Sequence, residues 1–186
     1  MVLAAVCLTK LGRPDAAADI VAVSQDAPIL AGDVSAESLA FTFAEARKWR
    51  AAADLLGGRS LASRSEPFAT LLLASLSGDP ELLEEDARYV VTRLVVRAEA
   101  LREDGEMEKA AVAYYNAGNL AFHSAYDWEA AANAYRAAGE LRPWYQGQAY
   151  YCAELAGALF ESKSYEEAAS WYVTARRLAR GFHAAG

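Results

Sequence analysis

Two stretches near the end of the chain share one pattern: Asp127-Trp128-Glu129-Ala130-Ala131 and Ser164-Tyr165-Glu166-Glu167-Ala168. In each, a polar residue precedes an aromatic residue, an acidic residue follows it, and alanine comes three positions after it. The match continues downstream, because Tyr135 corresponds to Tyr172 at the same offset of 37 residues. A period of this size, with helix-start signals at each copy, is typical of stacked helical hairpins.

The residues before each stretch complete the pattern. The segment Asn116-Ala117-Gly118-Asn119-Leu120-Ala121-Phe122 puts a small residue, Gly118, in the middle of an apolar helical run, and Pro143 follows the first copy. This arrangement resembles the tetratricopeptide repeat family, which has an aromatic at the turn, small residues where helices cross, and often a closing proline. The resemblance implies an all-α fold of antiparallel helix hairpins stacked in a superhelix, or solenoid.

Weaker copies of the turn lie upstream. Pro14, Trp49 and Pro80 hold turn positions like those of Trp128 and Tyr165, at successive separations of 35, 31, 48 and 37 residues. The 48-residue gap contains another turn-like stretch around Gly105, so the sequence leaves the phase of the middle helices open. We interpret residues 1–186 as one helical repeat domain, clearest over 106–182 and divergent over 1–103; a generic alanine-rich bundle is the alternative. The abrupt start inside a helical stretch favours a fragment of a larger protein.

Apolar periodicity and helix punctuation predict ten helices. Their expected ranges are 1–11, 14–24, 36–47, 48–57, 66–77, 80–103, 106–124, 127–141, 146–162 and 165–181.

Composition excludes several function classes. The formal charge of −7 and the lack of a basic patch argue against a nucleic-acid partner. No stretch reaches the roughly 20 apolar residues that span a bilayer, so we expect no membrane partner. Cys7 and Cys152 are far apart in apolar stretches, which favours two reduced, buried thiols and a cytoplasmic protein.

The sequence offers little for chemistry. His123 and His183 are the only histidines, and no CxxC, HxxxH, HExxH or phosphate-binding glycine motif is present. A pair of Cys152 with His123 is a weak candidate for catalysis, because the periodicity turns Cys152 toward the neighbouring helix. We therefore expect no enzyme activity, no cofactor and no metal site.

The resemblance also implies a binding surface. In tetratricopeptide proteins the first helix of each hairpin lines a concave groove that holds a peptide or partner protein. Position by position, the first helices here contribute Tyr115, Asn119, Phe122, His123, Tyr150, Ala153, Gly157, Phe160 and Glu161. Family members that clamp a carboxylate need a lysine four residues before the asparagine, and this chain has Tyr115 there.

The function predicted from these observations is a protein-protein interaction module or scaffold. The sequence leaves two alternatives open: self-association through exposed aromatics such as Trp144 and Tyr145, and a small-ligand or peptide sensor whose pocket is lined by Tyr115, Phe122 and Tyr151. If Asn119 faces the groove, Asn119→Ala is expected to weaken partner binding and to leave stability nearly intact.

Overall fold

Antiparallel helices joined by short turns form the part of the chain that the computed structural model describes. That part is 82–183 and 46–57, with isolated positions at 12–13, 15–16, 40 and 43–44. Within it there are six α-helices, one 3-10 helix and no strand: α1 (Trp49–Gly57), α2 (Glu84–Glu103), α3 (Met107–His123), α4 (Trp128–Leu141), η1 (Pro143–Gly147), α5 (Ala149–Glu161) and α6 (Tyr165–His183). The all-α prediction is confirmed for these residues.

Most predicted helix bounds agree with the structure to within a few residues. The largest differences are at two starts: α2 begins at Glu84 because Leu83 is extended (φ −65°, ψ 145°), and α5 begins at Ala149 because η1 occupies the preceding residues. Predicted helices 1–11, 14–24, 36–47 and 66–77 fall wholly or mainly outside the described residues, as does Cys7.

The turns repeat a common backbone device. Arg47, Gly105, Tyr126 and Lys163 all have positive φ, and each lies two residues before the first residue of a helix. At Arg47, Gly105 and Lys163 the next residue's N–H bonds a carbonyl five residues back, as in Lys48 N to Phe43 O at 2.8 Å. This is the bond of a Schellman helix ending, which satisfies carbonyls that the helix leaves unpaired. The chain therefore reverses in the same way at the predicted turns near Trp49, near Gly105 and before Tyr165.

Each helix packs chiefly against its neighbours in the chain. The α2–α3, α3–α4 and α5–α6 contacts are the most extensive, and the α4–α5 contact joins two successive hairpins, α3–α4 and α5–α6. Small side chains allow this close approach, since Ala131, Ala138 and Ala168 are at most 1% exposed. The core is accordingly rich in alanine, with leucine, valine and aromatic side chains between the helices.

Tyr135 is one of the aromatic side chains of this core, and glycine makes room for it. A Cβ at Gly118 would lie 2.7 Å from Tyr135 Cδ1, which is too close for two carbons. The Tyr135 ring is fully buried, and its backbone carbonyl accepts a hydrogen bond of 2.7 Å from the Tyr151 hydroxyl of the next hairpin. Gly139 provides space for that hydroxyl, because a Cβ there would lie 2.2 Å from it. The prediction that Gly118 is the small residue at a helix crossing is confirmed.

Candidate functional site

Side chains of α3 and α5 meet on one side of the two hairpins. This surface, called the α3–α5 face below, consists of Tyr115, Asn119, Phe122, Tyr150, Glu154 and Gly157. On each helix the three positions are separated by four and then three residues, so they lie along a single side of the helix. The opposite sides of both helices are filled by buried alanine and leucine, including Ala117, Ala121, Leu155 and Leu159.

A tyrosine–carboxylate hydrogen bond joins the two helices. The Tyr115 hydroxyl of α3 donates to Glu154 Oε2 of α5 at 2.6 Å, across 39 residues of sequence. Both side chains are half-buried. Burial raises the pKa of Glu154 because it disfavours the charged carboxylate, while the bond from Tyr115 and the charge of His123 lower it. Burial and the bond to Glu154 also raise the pKa of Tyr115, so its phenol keeps its proton.

A second bond fixes Asn119. The Tyr135 hydroxyl donates to Asn119 Oδ1 at 2.7 Å, and Asn119 also lies beside the Tyr115 hydroxyl, whose pKa it lowers. Buried Tyr135, Asn119, Tyr115 and Glu154 therefore form one polar network that extends from the first hairpin to the second. This geometry changes the expectation for Asn119→Ala, which we now expect to lower stability, because the change would take away the acceptor of a buried hydroxyl.

Aromatic rings surround the network. The Tyr115 ring stacks on Tyr145 with a centroid separation of 5.1 Å, and Tyr150 packs edge-on to it at 6.1 Å. Tyr145 is buried and in turn stacks on Tyr151 at 5.4 Å, whereas Tyr150 is 45% exposed. The α3–α5 face therefore lies over the packed rings of Tyr145 and Tyr151, and Tyr150 is partly exposed on its surface.

The structure distributes the predicted groove residues over two places. Tyr115, Asn119 and Tyr150 belong to the network or border it, and Phe122 is close to Gly157, whose Cβ would lie 3.5 Å from Phe122 Cζ. His123 is exposed and packs edge-on to Phe122 at 4.9 Å. Phe160 packs on Tyr165 at 5.5 Å beside the α5–α6 turn, and Glu161 is exposed at the end of α5.

Sequence reasoning missed Glu154 and instead included its neighbour Ala153, which is exposed. A signal was available, because Tyr150, Glu154, Gly157 and Glu161 follow a spacing of four, three and four along one side of a helix. Two further expectations change. Tyr145 and Tyr151 are 5% and 1% exposed, so Tyr145 is not an exposed contact for a second copy, and Tyr151 belongs to the core.

Other kinds of site find little support in the described part of the chain. Cys152 is buried, its Sγ contacts the Gln146 carbonyl at 3.4 Å, and burial raises its pKa, which disfavours the reactive thiolate. No group of three or more potential metal ligands is found among the residues from 82 to 183 or in the described positions before them. Of the helices described, none is long and apolar enough to cross a bilayer.

Comparison with known proteins supports the fold. No protein-family model matches the chain, and no curated protein matches it. A solved structure titled "MamA MSR-1 C2" is similar, with a TM-score of 0.50 and 20% identity, over 95% of this chain and 92% of that one. At this identity the likeness shows the fold alone. Over the residues that the structure describes, the chain is an all-helical repeat protein with a tetratricopeptide-like arrangement of hairpins.

Proposed function

We propose that this chain is a protein-interaction module that binds an extended segment of a partner protein along the α3–α5 face. The observation that carries the proposal is the grouping of partly exposed aromatic and hydrogen-bonding side chains from two successive hairpins on one surface. Helical-hairpin stacks form extended binding surfaces of this kind, because each hairpin adds one helix to the same side.

The side chains of this face suit a peptide backbone. Asn119 Oδ1 is held by Tyr135, and an amide nitrogen carries two donors, so Asn119 can donate to a carbonyl of a bound segment. Tyr150 offers a large ring with a polar end, a combination that is enriched among the residues contributing most to protein interfaces. The network below them is already formed, which reduces the entropy lost on binding.

A display experiment tests this function. Random 12-residue peptides are selected on the purified chain, labelled with fluorescein and titrated by anisotropy against the wild type, Tyr150→Ala and Val173→Ser. Val173 serves as the control because it is 69% exposed on α6, a helix that is not part of the defined face. We expect Tyr150→Ala to weaken binding about tenfold, equivalent to about 1.4 kcal/mol, and Val173→Ser to leave it unchanged. Selected peptides that bind the wild type and Tyr150→Ala equally would exclude this face as the binding site.

Self-association is the second candidate, and the exposure of Trp144 favours it. This residue of η1 is 54% exposed, and the Arg142 guanidinium lies 5.0 Å from the centroid of its ring. Size-exclusion chromatography with light scattering separates the two functions. An oligomer that becomes a monomer in Trp144→Ser supports self-association through this residue, and a wild-type monomer rejects it.

A further inference from the structure

The α3–α5 face carries a carboxylate where a partner side chain could reach it. Glu154 is half-buried and accepts one hydrogen bond, from Tyr115, although a carboxylate has about four acceptor sites. None of the lysines and arginines between 82 and 183 or in the described segments before them forms an ion pair with it. The His123 side chain is near enough that its charge lowers the pKa of Glu154, whereas Arg142, just after α4, pairs with Glu108 at 2.8 Å and lies over Trp144.

The aromatic neighbours of Glu154 also favour a cation. Tyr115, which holds the carboxylate, and Tyr150, which packs edge-on to Tyr115, present rings next to the same position. The face of an aromatic ring attracts a positive charge through its quadrupole, and the attraction grows as water is excluded. A carboxylate beside two tyrosine rings therefore has the chemistry of a site for an ammonium or guanidinium group.

The net charge of the whole chain also favours a cationic ligand at this site. The chain carries a formal charge of −7, so a basic partner is attracted at long range and an acidic one is repelled. Burial raises the pKa of Glu154. A cation at close range would offset the cost of keeping that carboxylate charged.

We propose that Glu154, flanked by Tyr115 and Tyr150, binds the cationic head group of a lysine or arginine side chain in the partner segment. This inference rests on the proposed function and assigns the chemistry of the partner. It also makes this site opposite in sign to the carboxylate clamp considered from the sequence, because Tyr115 replaces the clamp lysine and holds an acidic residue.

The peptides selected on the wild-type chain test the proposal. Each peptide is acetylated and amidated to remove its terminal charges. Every lysine or arginine in it is then replaced in turn by glutamine, and lysine and arginine are exchanged for each other. Affinities are measured by anisotropy for the wild type, Glu154→Gln and Glu129→Gln. Glu129 is exposed in the first turn of α4, so its substitution removes the same charge away from the face.

We expect one basic residue per peptide whose replacement by glutamine weakens wild-type binding at least about tenfold. In Glu154→Gln, the basic peptide and its glutamine version should bind with nearly equal affinity. In Glu129→Gln, the affinity difference between the two peptides should remain as in the wild type. The exchange of lysine and arginine shows which head group the site prefers. Glutamine keeps the shape of the side chain and can still accept from Tyr115, so thermal unfolding of Glu154→Gln should show a folded protein.

Two results separate this inference from the proposed function. If the selected peptides need Tyr150 but have no basic residue, or if Glu154→Gln keeps the full difference, the cation site is rejected and the interaction module stands. If no selected peptide depends on Tyr150, the proposed function fails and the cation site fails with it.

Discussion

Replacement of Gly118 by alanine probes the helix crossing on which both the fold and the α3–α5 face depend. The new Cβ would lie 2.7 Å from Tyr135 Cδ1 and Cε1 and 3.1 Å from Cγ. Two carbons pack best at about 3.5–4.0 Å, so the ring has to withdraw by about 1 Å. Tyr135 is 0% exposed and held by its bond to Asn119, so it has little space to withdraw into.

The magnitude follows from three contributions. Overpacking of a filled core costs about 1–3 kcal/mol. Displacement of the Tyr135 hydroxyl from Asn119 costs a further 1 kcal/mol or so. Alanine in place of glycine inside a helix stabilises the helix by about 1 kcal/mol, which offsets part of this cost. We therefore expect Gly118→Ala to lower the free energy of unfolding by about 1–3 kcal/mol.

Urea unfolding followed by far-ultraviolet circular dichroism measures this change, with Gly157→Ala as the matched control. A Cβ at Gly157 would lie 3.5 Å from Phe122 Cζ, an ordinary contact, so the same substitution should stabilise the chain by up to about 1 kcal/mol. A Tyr135→Leu background removes the ring, and there Gly118→Ala should become neutral or stabilising. An unfolding free energy for Gly118→Ala equal to or above that of the wild type would refute the close crossing.

Three further predictions use other contacts. Ala168→Leu should lower the free energy of unfolding by about 1–3 kcal/mol or more, because Ala168 is 1% exposed, whereas Ala169→Leu at the exposed neighbouring position should change it little; equal urea midpoints for the two variants would contradict the repeat alignment. Asn119→Ala should destabilise the wild type by about 1–3 kcal/mol. In a Tyr135→Phe variant the same change should cost much less, because the buried Tyr135 hydroxyl that donates to Asn119 is absent. A double-mutant cycle measures the difference, and additive effects of the two substitutions would argue against the hydrogen bond. Burial raises the pKa of Glu154 above its ordinary 4.5, so between 4.5 and the raised pKa the folded chain binds more protons than the unfolded chain. The stability of the wild type relative to Glu154→Gln should therefore fall as the pH rises through this range. Melting temperatures of the two proteins that follow parallel pH profiles would contradict this prediction.

The fold was predictable because local signals agree with one another along the chain. Asp127 precedes a helix in the sequence, and in the structure its Oδ1 accepts from Ala130 N at 3.0 Å, which caps α4. Small residues at Gly118, Ala131 and Ala168 mark where helices approach, and all three lie in the packed interior. The positive φ at Arg47, Tyr126 and Lys163 was not predictable, because turn geometry imposes it on residues that do not favour it.

The candidate site was only partly predictable. Helical spacing selects the side of α3 that carries Tyr115, Asn119 and Phe122. It cannot say which residue of α5 meets Tyr115, because that depends on the rotation and shift between two hairpins. Glu154 and Tyr145 were therefore missed as neighbours of Tyr115, although both are within 40 residues of it in the sequence.

The sequence by itself determined where the helices of the second half of the chain start and stop and which residues had to be small. These properties follow from backbone hydrogen bonding and side-chain volume within a single hairpin. Only the tertiary structure decided that Asn119 serves buried Tyr135 and that the Tyr115 hydroxyl meets the Glu154 carboxylate. Those pairings depend on how one hairpin packs on the next. That packing is set jointly by side chains that are far apart in the sequence.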